Sequence, residues 1–471
     1  MIQSKNVDFS NLFIKQNSNR KESKMENENN EILNKDFSLI SLMGFVFPSI
    51  FTFVFIAIYQ MVDGFFIEKF VGEVAIGAVN LYMPILYLLV ALGIMLGTGA
   101  NAIIVKKVGE GKKKEAGKTF SNTIQFSIIL TIIITAICLI FANPIMQMCG
   151  ATAGNIEYLR PYYYTLTSFS LAIMLQSTLG ILIIGEGKSV QAAIVIIIGG
   201  VLNCVLDYIF MKHFNMGIKG AAIATIIGYT STIVYAFYYY VIAKKSAYKF
   251  EIAKINLKEI GTISFNGSSD MISNLAGGVT SLVMNHLAYK YYGEIGVSSL
   301  SVVLYFQFII QAIFMGFTSA IEPLFSYYYG NGNIERRKKI FKISNIWILI
   351  ISILVVTLMY VFRENIVGIF FERETEIYNI TLLGLKIFII ATIFVGYNTF
   401  FSGLFTAFSN GLISGILSFV RSLIILAICL YLLSYLFDGV GLWVAWPVAE
   451  ILSCIVSVVV IVRYKGKYKY L

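Results

Sequence analysis

The sequence predicts an all-α polytopic membrane protein, with about twelve transmembrane helices in two six-helix lobes related by a pseudo-two-fold axis along the membrane normal. Three observations carry this expectation. Hydrophobic residues make up 58% of the chain and charged residues only 13%, with a mean hydropathy of +0.78; a soluble domain carries about 25% charged residues. The charges are also segregated, leaving 37–62, 74–105, 119–156, 161–185, 220–243, 295–321, 343–362 and 387–420 without Asp, Glu, Lys or Arg. Finally, the two halves of the chain repeat each other at one constant offset.

About 20 apolar residues cross a bilayer as helix. Most of the charge-free runs therefore hold one crossing, and 387–420 holds two around the turn-like "SNG" at 409–411. The predicted spans lie near 37–66, 75–104, 119–145, 157–184, 189–212, 218–243, 259–289, 296–328, 341–364, 377–407, 411–436 and 440–463. A large soluble core is excluded, because its helices would be shorter and would each keep a polar face. Residues 1–36 are polar and charge-mixed and lack an apolar h-region, which reads as a disordered tail and not a signal peptide.

Basic loops orient the spans. "KKVGEGKKKEAGK" (106–118), "KKSAYKFEIAKINLK" (244–258), "ERRKKIFK" (335–342) and "RYKGKYKY" (463–470) fall on one side, together with the Lys-containing N-terminal segment. Opposite loops such as "FERETEIY" (371–378) are poor in Lys and Arg. Both termini are expected in the cytoplasm, and the protein in the cytoplasmic membrane. The net charge of +10 is mostly this topology signal and calls for no nucleic-acid partner. None of the five cysteines has CxxC or zinc spacing; they read as small core residues.

An offset of 221 positions relates Gly72 in "VGEVAIGAV" to Gly293 in "YGEIGVSSL", Gly109 to Gly330, and Gly220 to Gly441. The expected division is a tail at 1–36, an N-lobe at 37–243, a linker at 244–258, a C-lobe at 259–464 and a basic tail at 465–471. Parallel repeats of this kind rock against each other around a site near the membrane midplane.

Function is expected where the halves differ. Asp207 in "GGVLNCVLDYIF" has Ile428 as its twin, Asn203 has Ile424, and Asp63 in "IYQMVDGFF" has Met284. An ionised Asp at helix centre costs about 2.5–3.5 kcal/mol on insertion scales, so it persists facing a cavity, paired with a cation, or protonated. Asn203 and Asp207 share one helical face, as do Tyr59 and Asp63. Thr225 lies on the neighbouring antiparallel helix. Two carboxylates, an amide oxygen and hydroxyls form a hard-oxygen cluster suited to Na+ or a shared proton. The alternative is polar glue between helices.

The combination of "IYQMVDGFFIEKFVGEVAIGAVNL", "GTGANAIIVKKVGEGKKKEAG", "LNCVLDYIF…NMGIKGAAIAT" and "SAIEPLFSYYYGNGNIERRKK" resembles the MATE (multidrug and toxic compound extrusion) family, in its bacterial MepA/DinF-type branch, over about 35–465. The resemblance implies export of lipophilic, often cationic compounds driven by inward H+ or Na+, with no other cofactor. Its partners would be small-molecule drugs or organic cations and membrane lipid, the protein acting as a monomer. It also implies that Asp63, Asn203, Asp207 and Thr225 form the N-lobe cation site, possible Na+ ligands, with Tyr59 and Tyr162 lining it. Departures from the family pattern concern Asp270, near the start of the seventh span, and Glu322, where branch relatives often carry Gln. Glu322 could contact substrate or pair with Arg421, the only basic residue within 387–437; Asp270, Glu322 and Arg421 are candidate cavity residues.

Rival functions leave weaker marks. A lipid-linked glycan flippase or polysaccharide exporter would favour a basic cavity, whereas the intramembrane signal here is acidic. A membrane enzyme would show HExxH or clustered DxxxD motifs, which are lacking, and no filter-like loop suggests a channel. His213, expected in an outer loop, and His286, within a helix, read as incidental.

Overall fold

A computed structural model describes residues 36–151, 154–242, 246, 250 and 254–471. Most of the N-terminal tail, and most of the first half of the proposed linker, lie outside the described residues. Among the described residues fourteen α-helices follow in order. The first lobe holds α1 (Leu39–Phe70), α2 (Glu73–Gly109), α3 (Lys113–Ile140), the short α4 (Ala142–Met148), α5 (Ile156–Ser168), α6 (Ser170–Gly185), α7 (Ser189–Tyr208) and α8 (Gly217–Phe237). The second holds α9 (Leu257–Gly330), α10 (Ile334–Phe370), α11 (Glu376–Phe388), α12 (Thr392–Ala407), α13 (Gly411–Phe419) and α14 (Leu426–Tyr468). Single π-helical turns extend α7 (Ile209–His213) and α8 (Tyr238–Ile242) and join α13 to α14 (Val420–Ile425). His213 thus ends a helix, its ring against Tyr208, instead of sitting in a loop.

Helices dominate because hydrocarbon offers no partner to an open backbone. Among the described residues, nine are long and apolar enough to cross a membrane, or ten with the bent pair α5 and α6, which meet at 53°. Two longer helices each contain a reversal. Gly293 breaks α9 at φ 63°, and Phe437 and Asp438 break α14. At each break a glycine admits the returning chain: a Cβ on Gly296 would lie 2.5 Å from the Ala288 carbonyl oxygen, and one on Gly441 2.0 Å from that of Leu433. The part of α9 before Gly293 carries Asn266, Ser268, Ser269 and Asp270 and is not among the apolar spans.

The repeat holds in three dimensions. Positive φ recurs 221 positions apart at Gly72 and Gly293, Gly111 and Gly332, and Gly217 and Asp438. Gly109 and Gly330 both end helices, and Lys113 and Ile334 both begin them.

Near the basic loops the lobes interlock by small residues. A Cβ on Gly99 would stand 2.0 Å from the Ile263 carbonyl oxygen, and one on Gly267 equally close to that of Met95. Gly109 packs in the same way against Tyr327, and Gly330 against Lys106. Only hydrogen fits there, so α2 and α9 pack backbone to backbone. Polar contacts reinforce the closure. The Glu259 carboxylate accepts from Lys107 Nζ at 2.9 Å, Thr119 Oγ1 at 2.6 Å and Asn122 Nδ2 at 3.0 Å, all from the first lobe. Toward the opposite face Gly277 and Gly278 of α9 meet nothing within 4 Å, and Val279 and Leu282 are exposed. The lobes close at the basic-loop end.

Candidate functional site

The site is built where α1, α5, α7 and α8 converge in the first lobe. Gly199 and Gly228 bring α7 and α8 together, each leaving a would-be Cβ 2.6–2.7 Å from the other's carbonyl oxygen. That spacing lets Asn203 Nδ2 donate to Thr225 Oγ1 at 3.3 Å, while the threonine hydroxyl donates to the Ala221 carbonyl at 3.0 Å. Gly200 admits α1, since a Cβ there would strike Phe55 at 2.6 Å and crowd Tyr59 at 3.1 Å. One turn further along each helix, Asp63 and Asp207 face each other as nearest ionisable neighbours. Tyr162 of α5 stands beside the two carboxylates, its ring edge-on to Tyr82 at 5.6 Å.

Asp207 is the one carboxylate among the described residues with both oxygens buried and without a hydrogen-bond partner. Asp207 is fully buried and neither of its oxygens has a hydrogen-bond donor; Asp63 Oδ1 and Asn203 Oδ1 are also buried without one. Four oxygen acceptors therefore converge with no protein hydrogen to serve them, and buried acceptors left so are costly. Two carboxylates cannot bond to one another until a proton or a cation enters between them. One turn away lies a narrow cavity lined by Tyr59, Gln176, Gly200, Asn203, Thr225 and Tyr229 among others. It offers about 10 Å³ to the centre of a water-sized particle, close to what one water requires.

All six sequence-predicted coupling residues, Tyr59, Asp63, Tyr162, Asn203, Asp207 and Thr225, fall in this one region. Two further members were not foreseen. Tyr229 lies one turn after Thr225 and its hydroxyl meets that of Tyr59, and Gln176 enters from α6. The i, i+4 spacing of Thr225 and Tyr229 was a usable signal; Gln176 had none.

The second trio separates. Asp270 and Glu322 are neighbours at the join between the lobes, with Thr98 of α2 against Asp270. Glu322 is buried beside Thr318, where Gly403 gives it room. Asp270 Oδ2 and Thr318 Oγ1 lack partners. Arg421 does not pair with Glu322, which corrects that sequence expectation. Its guanidinium grips Glu450, with Nε 3.0 Å from both carboxylate oxygens and Nη2 3.0 Å from Oε1. Asn398 Nδ2 adds a bond to Glu450 Oε2 at 2.7 Å, and Arg421 Nη1 donates to Thr399 Oγ1 at 3.2 Å. Arg421 and Glu450 both reach the C-lobe interior, whereas Glu322 lies on α9 at the lobe interface.

The MatE family model matches residues 48–209 and again 271–432, one copy in each lobe. The chain belongs to the MATE family. It is a multi-pass membrane transporter and not an enzyme. Multidrug export protein MepA of Staphylococcus aureus (strain NCTC 8325 / PS 47) is 23% identical over 432 residues, covering 89% of this chain and 93% of the relative. MepA of Staphylococcus saprophyticus is 23% identical, covering 89% and 92%. Among solved structures, a MATE transporter in complex with MaL6 superposes with a TM-score of 0.88 at 20% identity, over 94% of this chain and 99% of that one. The outward-facing conformation of a multidrug resistance MATE transporter gives 0.87 at 20% identity, over 94% and 98%. These structural likenesses concern the fold.

Proposed function

We propose that this protein is a cation-coupled antiporter, driven by H+ or Na+, that exports lipophilic, often cationic compounds by alternating access. The observation that carries the reading is the set of four donorless oxygens on Asp63, Asn203 and Asp207, buried together in the first lobe. A mobile cation is what such a cluster lacks, and the narrow cavity nearby has room for one small particle. Multidrug export by the MepA relatives supports the substrate class.

In this reading the basic-loop face is cytoplasmic, both termini lie there, and the protein sits as a monomer in the cytoplasmic membrane. The closed basic-loop end then corresponds to an arrangement shut toward the cytoplasm. Cation entering from outside satisfies the Asp63 and Asp207 carboxylates and draws α1 toward α7. That alters the cavity between the lobes and lowers its affinity for exported compound. Coupling requires only that cation and compound favour different lobe arrangements. Asp270 and Glu322, at the lobe interface, are the acidic side chains placed to meet a cationic compound.

Reconstituted protein, given an ethidium-like dye and pH and Na+ gradients imposed separately, tests this. Dye movement should follow at least one gradient and vanish with Asp207→Asn while membrane insertion persists. Movement indifferent to both gradients, or retained in the variant, would overturn it.

A further inference from the structure

We infer that Arg421 is a tethered cation filling, in the second lobe, the counterpart of the first lobe's cation cavity, so that only the first lobe couples to a mobile ion. The inference rests on the proposed coupling role of the N-lobe site.

Register is the starting point. Helix boundaries and positive-φ residues recur at 221 positions, and at 222 from Ser170 and Thr392 through Gly187 and Ser409 to Ser189 and Gly411, so each locus has a structural twin. Counted from the matched helix starts Ser189 and Gly411, Arg421 is the twin of Gly199; counted from Gly217 and Asp438, Glu450 is that of Tyr229; both twins line the N-lobe cavity. Asn398 is the twin of Gln176, which lines the same cavity. In the first lobe these positions leave open space beside acceptors that have no donor. In the second, the same locus holds a carboxylate with a full complement of donors: three contacts from Arg421 and one from Asn398. Ser457 Oγ in turn donates to Asn398 Oδ1 at 3.3 Å, fixing the amide.

Burial makes the contrast chemical. The Arg421 and Glu450 side chains are 14% and 7% exposed. A guanidinium is a permanent, covalently tethered positive charge, so this cation cannot leave during the cycle. The titratable groups around the pair are Cys454, one turn after Glu450, and Tyr397 beyond it. Arg421 stands on a π-turn. Such turns interrupt regular helix and are common at functional positions. Removing Arg421 should therefore convert Glu450 into a vacant cation site, giving this lobe the property it otherwise lacks.

The experiment reads thermal stability of purified full-length protein against Na+ and against pH. Wild type should show a cation-dependent rise in Tm that Asp63→Asn/Asp207→Asn abolishes; failure here refutes the N-lobe reading alone. In that silenced background, adding Arg421→Met should restore a rise of about 2 °C at cation levels roughly tenfold above Kd. Adding Glu450→Gln as well should abolish it again. Arg421→Gln, which keeps a donor to Glu450, supplies the same reading should the methionine variant not survive extraction. If neither single variant restores a cation response, or if it persists without the Glu450 carboxylate, the second lobe holds no latent site and the inference falls.

Discussion

Replacing Glu259 with Ala should loosen the basic-loop closure without touching the cation site. Glu259 lies at the start of α9 and takes three hydrogen bonds from the other lobe: Lys107, Thr119 and Asn122. A bond of this kind contributes about 1 kcal/mol net. The Lys107 and Glu259 side chains are 23% and 19% exposed, so water discounts their charge term toward the value for surface pairs. The three together come to roughly 2–3 kcal/mol, a shift of about 30- to 150-fold in the ratio of closed to open forms. The measurement is labelling of a cysteine at Thr98, a buried position beside the lobe join, in a background lacking the five native cysteines. A membrane-impermeant maleimide applied from the basic-loop face should react faster by a comparable factor, because labelling follows the open population. Lys107→Ala should give a smaller increase, and the double variant should fall short of the sum. Unchanged labelling in Glu259→Ala would refute the latch and leave closure to helix packing alone.

Gly267→Leu should prevent that closure outright, since even a Cβ there would meet the Met95 carbonyl oxygen at 2.0 Å; dye export should be lost while membrane insertion, checked by fractionation, stays intact. Glu450→Ala strands a buried guanidinium and should cost about 3–5 kcal/mol, whereas Arg421→Met/Glu450→Gln should recover most of it in thermal unfolding. Gly228→Val should push α7 from α8, because a Cβ already approaches the Gly199 carbonyl oxygen at 2.7 Å; the expected outcome is a Tm loss together with loss of the cation response that wild type shows. Tyr229→Phe removes the hydroxyl that meets Tyr59 and should weaken cation dependence of export several-fold with little change in Tm.

Much of the fold was legible in the chain itself. Charge-free runs place helices because hydrocarbon excludes unpaired charge, and the offset of 221 places the second lobe from the first. The first-lobe site was legible for the same reason: Asp63 and Asp207 stand where their twins are Met284 and Ile428, and a buried carboxylate without purpose is too costly to be idle. What the chain did not disclose is which groups meet. Arg421 had a candidate partner in Glu322, yet Glu450, 29 positions along and on a different helix, takes it. Gln176 carried no periodic signal, and Glu259 looked like one more charge at a helix start. Composition and spacing act along one dimension, through the energy of each residue in lipid or in helix. Partner choice depends on how closely two helices pack, and at Gly99, Gly199, Gly228 and Gly267 that distance is set by the absence of a single carbon.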